Sequence, residues 1–219
     1  MRTPQPKPIF SLSLPGKAFS MDSYESSCLV ATSGRKICKI DIRKGKLNED
    51  DEEGGIMEDN DNEMAGEITM ERESPLKYQT RVGRFIPDGS GYAIGSVEGR
   101  VAVEFLNNPN RKNYAFKCHR SGDIIYPVND IQFHPAYTTT FATGGCDGTV
   151  VVWDAICKKK LATLPKLASS ISAMAFSPDG NELAIASSYT FEDGEREHPR
   201  DEIFVKKGMM DDCRPKQAR

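Results

Sequence analysis

The stretch Phe141–Asp154, FATGGCDGTVVVWD, decides how this chain folds. It reads as a short strand that ends in small residues, a tight turn at Asp147 and Gly148, and a second strand rich in valine. An Asp-Gly pair between two strand-forming runs is a strong hairpin signal, because such turns need residues that tolerate a positive φ. The stretch therefore predicts a pair of antiparallel strands.

Further stretches repeat this pattern along the chain. They are Leu29–Ile42 (LVATSGRKICKIDI), Tyr92–Leu106 (YAIGSVEGRVAVEFL) and Leu183–Val205, which begins LAIASSYTFEDGE and ends IFV. A further strand and turn precede the last three copies, in VGRFIPDGSG, VNDIQFHPAYTT and ISAMAFSPDGNE. No ten-residue stretch shows convincing helical periodicity, so the sequence predicts an all-β repeat protein.

Composition narrows the class of protein further. The 219 residues suit one domain or one and a half, and 28% of them are charged. No apolar run approaches the roughly 18 residues of a membrane span, and the proline-rich start Met1–Phe10 does not resemble a secretory signal. We therefore expect a nuclear or cytosolic protein with no membrane contact, whose six cysteines are reduced thiols.

The charge is unevenly distributed. The segment 49–73 contains twelve acidic residues and one arginine, a net charge of −11, while the whole chain carries −3 and the other 194 residues therefore carry +8. Such a segment repels itself and predicts a disordered insert, which is either a solvated spacer or an acidic ligand for the basic body. The sequence thus divides into a first blade (1–48), this insert (49–73), the remaining blades (74–206) and a flexible tail (207–219).

The residues from Gly144 to Asp154 resemble the signature of a WD-repeat propeller blade. In such a blade we expect Trp153 to bury its ring between blades and to donate its indole N–H to a neighbour such as Thr143. Asp130 and Asp147 occur where these blades place structural turn residues.

A more specific resemblance covers most of residues 73–204. Six segments, in this order, closely resemble the mitotic checkpoint propellers of the budding-uninhibited-by-benzimidazole group, here called the Bub-three family: ESPLKYQTR, SVEGRVAVEFL, NYAFKCHR, YPVNDIQFHP, FATGGCDG and LAIASSYTFE. A sister family of RNA-export propellers, which dock on a nucleoporin, shares several of them. KYQTR and VAVEFL favour the checkpoint family.

The resemblance implies a propeller of seven blades, of which this chain holds about four. The start of the chain, RTPQPKPIFSLSLPG, is similar to the beginning of the family's fourth blade. We therefore expect a fragment that lacks about three N-terminal blades. Such an open arc would expose apolar faces that a closed ring covers.

The function implied by the resemblance is that of a non-enzymatic adaptor in the spindle assembly checkpoint. Family members bind checkpoint kinases and related proteins through a short Glu-containing motif, and bind phosphothreonine repeats of a kinetochore scaffold. The implied location is the nucleus and kinetochore, and also the cytoplasm. The alternative is an RNA-export adaptor, and only that alternative calls for nucleic acid as a partner.

Four basic residues within the matching motifs are the candidate peptide-binding residues. By resemblance, Arg81 would meet an acidic residue of the kinase motif, and Arg100 and Arg120 would hold the phosphate with Lys77 nearby. Arginine suits these ligands because its planar fork binds carboxylate or phosphate through two hydrogen bonds. The alternative is that they are ordinary surface arginines. Tyr78 and Phe116 belong either beside the ligand or in the core.

The sequence gives little support for an enzyme, a metal site or a cofactor site. Cys118 and His119, with His134, are the only candidates for a nucleophile–base or metal cluster. Neighbouring residues on a strand point to opposite faces, and no third orienting group is recognisable. We therefore expect no catalytic residues, no metal and no cofactor.

Overall fold

The computed structural model describes residues 11–43, 66–106 and 110–216, and within them it contains four antiparallel sheets and one two-stranded ribbon. The first sheet consists of β1 (Ala18–Tyr24), β2 (Ser27–Thr32), β3 (Lys36–Asp41) and β4 (Glu67–Glu73). The second consists of β5 (Thr80–Phe85), β6 (Gly91–Ser96), β7 (Arg100–Phe105) and β8 (Tyr114–Lys117). The ribbon is formed by β9 (Arg120–Ser121) and β10 (Ile124–Ile125). The third sheet consists of β11 (Val128–Phe133), β12 (Thr140–Gly145), β13 (Val150–Asp154) and β14 (Lys159–Thr163), and the fourth of β15 (Ile171–Phe176), β16 (Glu182–Ser187) and β17 (Glu202–Lys207).

In each sheet the spatial order of the strands is their order along the chain. We call the four sheets blades 1 to 4. Their first strands form a series of contacts, in which β1 lies against β5, β5 against β11, and β11 against β15. Up-and-down sheets arranged side by side around their first strands are a β-propeller architecture. The predicted all-β fold with about four WD-type blades is therefore confirmed.

The hydrophobic core lies between the blades. Three clusters of buried side chains fill the three blade–blade contacts. The cluster between blades 1 and 2 includes Leu29, Ile37, Tyr92 and Ile94; between 2 and 3, Val101, Val128, Ile131 and Phe141; between 3 and 4, Val152, Ile171, Leu183 and Ile185. Each blade therefore depends on its neighbours for the burial of its apolar residues.

Glycine allows the first strand of each following blade to approach closely. A Cβ on Gly95, in blade 2, would lie 2.8 Å from a methyl carbon of Val128, and a Cβ on Gly144, in blade 3, would lie 2.5 Å from one of Ile171. The two glycines lie at the corresponding end of the second strand in successive blades. The small residues that close the first strand of each sequence repeat thus make room for the next blade.

The two ends of the arc expose apolar side chains, as expected for an open arc. On blade 1, Met21 is 67% exposed, and on blade 4, Ile203 is 77% exposed. In the interior blades the corresponding faces are covered by the next blade. An exposed apolar face of this kind is uncommon on a folded protein.

The boundary of the predicted acidic insert is wrong at its C-terminal end. Residues 67–73 form β4, the outer strand of blade 1, while residues 49–65 lie outside the described residues. Self-repulsion does not prevent this strand, because Glu71 pairs with Lys36, Glu73 pairs with Arg35, and Arg72 pairs with Glu104. These cross-strand partners are distant in sequence, so composition alone misses them.

The predicted flexibility of the tail is also wrong for most of its length. Lys207 still belongs to β17, and a short helix, α1 (Met209–Asp212), follows it. Met209 and Cys213 are fully buried in the cluster between blades 3 and 4, which holds this segment in place. Residues 217–219 lie outside the described residues. Among the residues described, no helix is long and apolar enough to cross a membrane.

Candidate basic peptide-binding sites

The turn at Glu98 and Gly99 organises the first candidate site. Gly99 joins β6 to β7 with a φ of +61°, and a Cβ at this position would lie 2.7 Å from the carbonyl oxygen of His119. The Cys118 N–H donates to the Gly99 carbonyl at 2.9 Å. Only glycine suits both the left-handed conformation and this close approach. The turn is therefore packed against the segment that leaves blade 2.

This packing gathers three of the predicted residues around Glu98. The Lys77 backbone N–H donates to the Glu98 carboxylate at 3.1 Å, and the Arg120 guanidinium donates to the Glu98 carbonyl at 3.3 Å. Arg100 follows the turn directly and lies opposite Lys117 on the neighbouring strand. We call Lys77, Arg100 and Arg120 the blade 2 basic cluster.

The cluster carries three positive charges beside the single carboxylate of Glu98. Among the described residues, none of its three side chains takes part in an ion pair, and the Arg120 Nε is buried with no hydrogen-bond partner. Lys77 is exposed, while Arg100 and Arg120 are partly buried. The carboxylate of Glu98 is the acidic group in direct contact with this cluster. The arrangement is suited to binding an oxyanion.

Arg81 lies at a different position. It sits at an irregularity in the pairing of β5 with β6, and its charge acts on Cys146 of blade 3. Burial raises the pKa of the Cys146 thiol above its usual value, and the Arg81 guanidinium opposes that shift. Arg81 is half-buried on β5 and is not among the residues that contact the turn at Glu98.

A cavity of about 200 Å³ adjoins Cys146, between blades 3 and 4. Its basic lining residues are Lys166, Arg196 and His198. The repeat pattern and the family motifs did not indicate these residues. The available signal was the charged run Glu195–Arg200, which interrupts the repeat pattern between β16 and β17.

The acidic residues of this cavity are already engaged by the protein. Glu192 accepts hydrogen bonds from the Ser170 hydroxyl and, at 2.7 Å, from the Thr190 hydroxyl. Burial tends to raise the pKa of Glu192, but these hydrogen bonds outweigh it and hold the pKa below its usual value. Asp147 is bound in the same way by His119 and Thr149. Of the basic lining residues, Arg196 pairs with Asp193 at 3.4 Å and lies over the Tyr189 ring, whereas Lys166 has no ion pair among the described residues and is available to a ligand.

The two aromatic candidates, Tyr78 and Phe116, lie in different environments. Tyr78 is exposed beside Lys77 and can contact a ligand bound to the blade 2 basic cluster. Phe116 packs against Trp153, with ring centroids 4.6 Å apart, and borders the core between blades 2 and 3.

A polar network inside blade 3 confirms the predicted structural role of Trp153. Its indole N–H donates to the Thr143 hydroxyl at 2.9 Å, as the sequence predicted. His119 joins the same network, with Nε2 2.9 Å from the Thr143 hydroxyl and Nδ1 2.9 Å from the Asp147 carboxylate. Both ring nitrogens of His119 are therefore occupied.

The residues considered for catalysis or metal binding do not form a common site. Burial raises the pKa of the Cys118 thiol to about 12, so this thiol is protonated at neutral pH. The Nε2 of His134 lies 2.9 Å from the carbonyl oxygen of Gly180, and its Nδ1 accepts the Tyr137 N–H. Within the described part of the chain, no group of three or more His, Cys, Asp and Glu side chains is placed to hold a metal ion.

The two aspartates differ from the sequence interpretation in one respect. Asp147 accepts the Thr149 N–H within its turn, as expected of a structural turn residue. Asp130 instead lies on β11, where its carboxylate accepts the Met174 N–H of blade 4 at 2.7 Å and pairs with Arg84 of blade 2 at 3.4 Å. Asp130 therefore connects three blades, which the sequence pattern did not indicate.

Comparison with known proteins supports the WD-repeat fold and the resemblance to mitotic checkpoint proteins. The family model described as WD domain, G-beta repeat, matches residues 110–154. The mitotic checkpoint protein BUB3.1 of Arabidopsis thaliana is 45% identical over 92% of this chain and 55% of that protein. The mitotic checkpoint protein bub3 of Dictyostelium discoideum is 56% identical over 62% of this chain and 43% of its own length.

More distant matches are found as well. The poly(A)+ RNA export protein of Schizosaccharomyces pombe is 36% identical over 87% of this chain and 49% of that protein. Among solved structures, the β-propeller domain of Myceliophteria thermophila Cps50 (Swd1) matches with a TM-score of 0.58 at 14% identity, over 78% of this chain and 49% of that one, which supports the fold alone. The chain spans about half the length of the curated relatives it matches. It is a WD-repeat propeller chain homologous to the Bub-three mitotic checkpoint proteins.

Proposed function

We propose that this chain is a non-enzymatic WD-repeat adaptor of the mitotic spindle assembly checkpoint, which binds anionic peptides. The homology to checkpoint proteins supports the pathway. The structure supports the mode of action, because its candidate sites consist of basic side chains on turns and loops between strands. Propellers commonly use such loops for binding.

The blade 2 basic cluster is the proposed site for phosphothreonine repeats of a kinetochore scaffold. The observation that carries this proposal is that Arg100, Arg120 and Lys77 surround one turn without an ion pair among the described residues. A phosphate carries up to two negative charges and three acceptor oxygens, which match two guanidinium groups and an ammonium group. Tyr78 is exposed beside the cluster and would contact the flanking peptide.

Arg81 is the proposed contact for the Glu-containing motif through which checkpoint kinases and related checkpoint proteins dock. Lys166 lines the cavity next to Cys146 and is exposed, so this side of the molecule offers a further cation to an acidic peptide. The two sites would allow a kinase and a scaffold to be held together. This role places the protein in the nucleus and at the kinetochore, and also in the cytoplasm.

The alternative function is that of an RNA-export adaptor that docks on a nucleoporin. The similarity to the poly(A)+ RNA export protein supports it, at lower identity than the checkpoint relatives. RNA binding through many phosphates weakens steeply with salt, whereas binding of one phosphate weakens modestly. Titrations of a phosphothreonine peptide and of poly(A) at two salt concentrations therefore distinguish the two functions.

Calorimetric titration with a scaffold-type phosphothreonine peptide tests the first site. We expect the double variant Arg100→Ala, Arg120→Ala to lose at least about 100-fold in affinity, since each charge-assisted hydrogen bond contributes about 1.5–3 kcal/mol. The matched control is Arg43→Ala with Arg200→Ala, two exposed arginines outside the cluster. Unchanged affinity in the first double variant, with folding intact, would contradict the assignment.

Titration with two docking peptides tests the second site and the choice of pathway. We expect the checkpoint-kinase motif to bind more tightly than the corresponding nucleoporin motif, and Arg81→Ala to weaken the kinase motif alone. Arg84→Ala is not a suitable control because Arg84 pairs with Asp130, so Arg43→Ala serves here too. Tighter binding of the nucleoporin motif would favour the export function instead.

A further inference from the structure

A second type of binding surface lies on the outer rim, between blades 2 and 3. A groove of about 220 Å³ is lined by the outer strand of blade 2 and by the last turn of blade 3. Its aromatic wall consists of Tyr114, Phe116 and Trp153, with the first two rings stacked at 6.0 Å. All three rings are only partly buried. The groove is therefore an open aromatic surface, outside the blade 2 basic cluster.

Lysines surround this aromatic wall. Lys117, Lys158 and Lys159 line the groove with exposed side chains, and none of them forms an ion pair with another described residue. The Lys158 ammonium lies 4.6 Å from the centre of the Tyr114 ring. The mouth of the groove is thus positively charged and complementary to an acidic partner.

Asp154 lies at the base of the groove. Asp154 is 2% exposed, and its Oδ1 accepts the backbone N–H groups of Ile156 and Cys157 at 2.9 and 2.8 Å. Its Oδ2 is buried and has no hydrogen-bond partner among the described residues. Because Oδ2 is buried beneath the groove surface, this carboxylate supports the turn of blade 3 and is not accessible to a ligand.

The aromatic wall and the lysines specify the chemistry of one occupant. We propose that the groove binds a short acidic segment of a partner protein and takes up one aromatic side chain of that segment. The ring would pack against the aromatic wall, and flanking carboxylates would meet the lysines. Tryptophan fits best, because it offers the largest aromatic surface.

Fluorescence-polarisation titration of the full chain tests this proposal. The probe is a labelled peptide with one tryptophan between three acidic residues on each side, and matched peptides carry tyrosine, phenylalanine or alanine at the centre. We expect the tryptophan peptide to bind at least about tenfold more tightly than the alanine peptide, and the tyrosine and phenylalanine peptides to lie between. Equal affinity of all four peptides would overturn the proposal.

Two variants connect the binding to the groove. Lys158→Glu should weaken the tryptophan peptide at least about tenfold, whereas Lys207→Glu, the same charge change on an exposed lysine of blade 4, should not. Unchanged affinity in Lys158→Glu would refute the role of the lysines.

The same experiment distinguishes an acidic peptide from other occupants of the groove. It also tests the groove independently of the proposed function. Tighter binding of a single-stranded oligonucleotide than of the tryptophan peptide would replace the proposal with a nucleic-acid groove, since exposed lysines and aromatics also bind bases. Phosphothreonine peptide binding should persist in Lys158→Glu and be lost in the Arg100 and Arg120 double variant. Failure of one proposal would therefore not imply failure of the other.

Discussion

The two faces of blade 4 carry similar apolar side chains, but one face is buried and the other is exposed. Ile185, on β16, is 4% exposed because its face is packed against blade 3. Ile203, on the adjacent strand β17, is on the other face and is 77% exposed. The comparison shows that an apolar residue in this fold stabilises the chain through the neighbouring blade and contributes little within its own sheet.

The largest expected effect comes from the covered face. Ile185→Ala removes buried methyl groups from the cluster between blades 3 and 4, so it should lower the free energy of unfolding by about 3 kcal/mol. Urea unfolding followed by circular dichroism measures this value. A loss below about 1 kcal/mol would mean that blade 3 does not bury this face in solution.

A polar contact across the same interface should have the next largest effect. Asp130→Ala removes the acceptor for the Met174 N–H and the partner of Arg84. We expect a loss of about 2 kcal/mol, because a buried N–H is left unsatisfied. The same unfolding experiment applies, with Asp123→Ala as a control at an exposed position. Equal stability of the two variants would contradict a connecting role for Asp130.

The network inside blade 3 should make the stability of the chain depend on pH. Burial tends to raise the pKa of Asp147, but hydrogen bonds from His119 and Thr149 outweigh it and hold the pKa below its usual value. Its stabilisation is therefore complete above about pH 4, the pKa in the unfolded chain, and is lost as pH falls through the lower folded pKa. Asp147→Asn should lower stability at pH 7, and its difference from the unmodified chain should narrow at acidic pH. A constant difference from pH 7 to pH 3 would exclude this mechanism.

The smallest effect is expected on the open face. Ile203→Ala removes the same atoms as Ile185→Ala, but from a side chain that is already in water, so it should change stability by less than about 0.5 kcal/mol. A loss comparable to that of Ile185→Ala would show that the open face is covered in solution. The matched pair thus measures how much of the burial energy the neighbouring blade supplies.

The fold was largely predictable because each blade repeats the same local pattern. Strand, small residues, tight turn and second strand are neighbours in sequence, and the Trp153 hydrogen bond to Thr143 links the two strands of one hairpin. β4 and the tail were predicted wrongly because their stability comes from elsewhere. The glutamates of β4 pair with basic residues of β3 and its turn, and Cys213 is buried only because blades 3 and 4 meet there.

The candidate sites also differ in how well the sequence predicts them. Gly99 and the residues on either side of it are local, so motif resemblance could identify Arg100 and Arg120 as candidates. Lys166 and Arg196 line one cavity only because blade 3 meets the loop of blade 4. In the aromatic groove, Tyr114 stacks on Phe116 within blade 2, and Phe116 contacts Trp153 only because blades 2 and 3 pack together. A site between two blades depends on how those blades pack against each other, and the repeat pattern of the sequence does not specify that packing.

The position of Asp130 also affects how the arc comes apart. In repeat proteins whose units contact only the adjacent unit, terminal units can fray one at a time. Here a single carboxylate on the third blade is shared with Arg84 on one side and with the backbone of the fourth blade on the other. Detaching the fourth blade leaves the same carboxylate partly unpaired inside the remaining core. We therefore expect blades 2 to 4 to melt in one cooperative transition, with the third blade as their common nucleus.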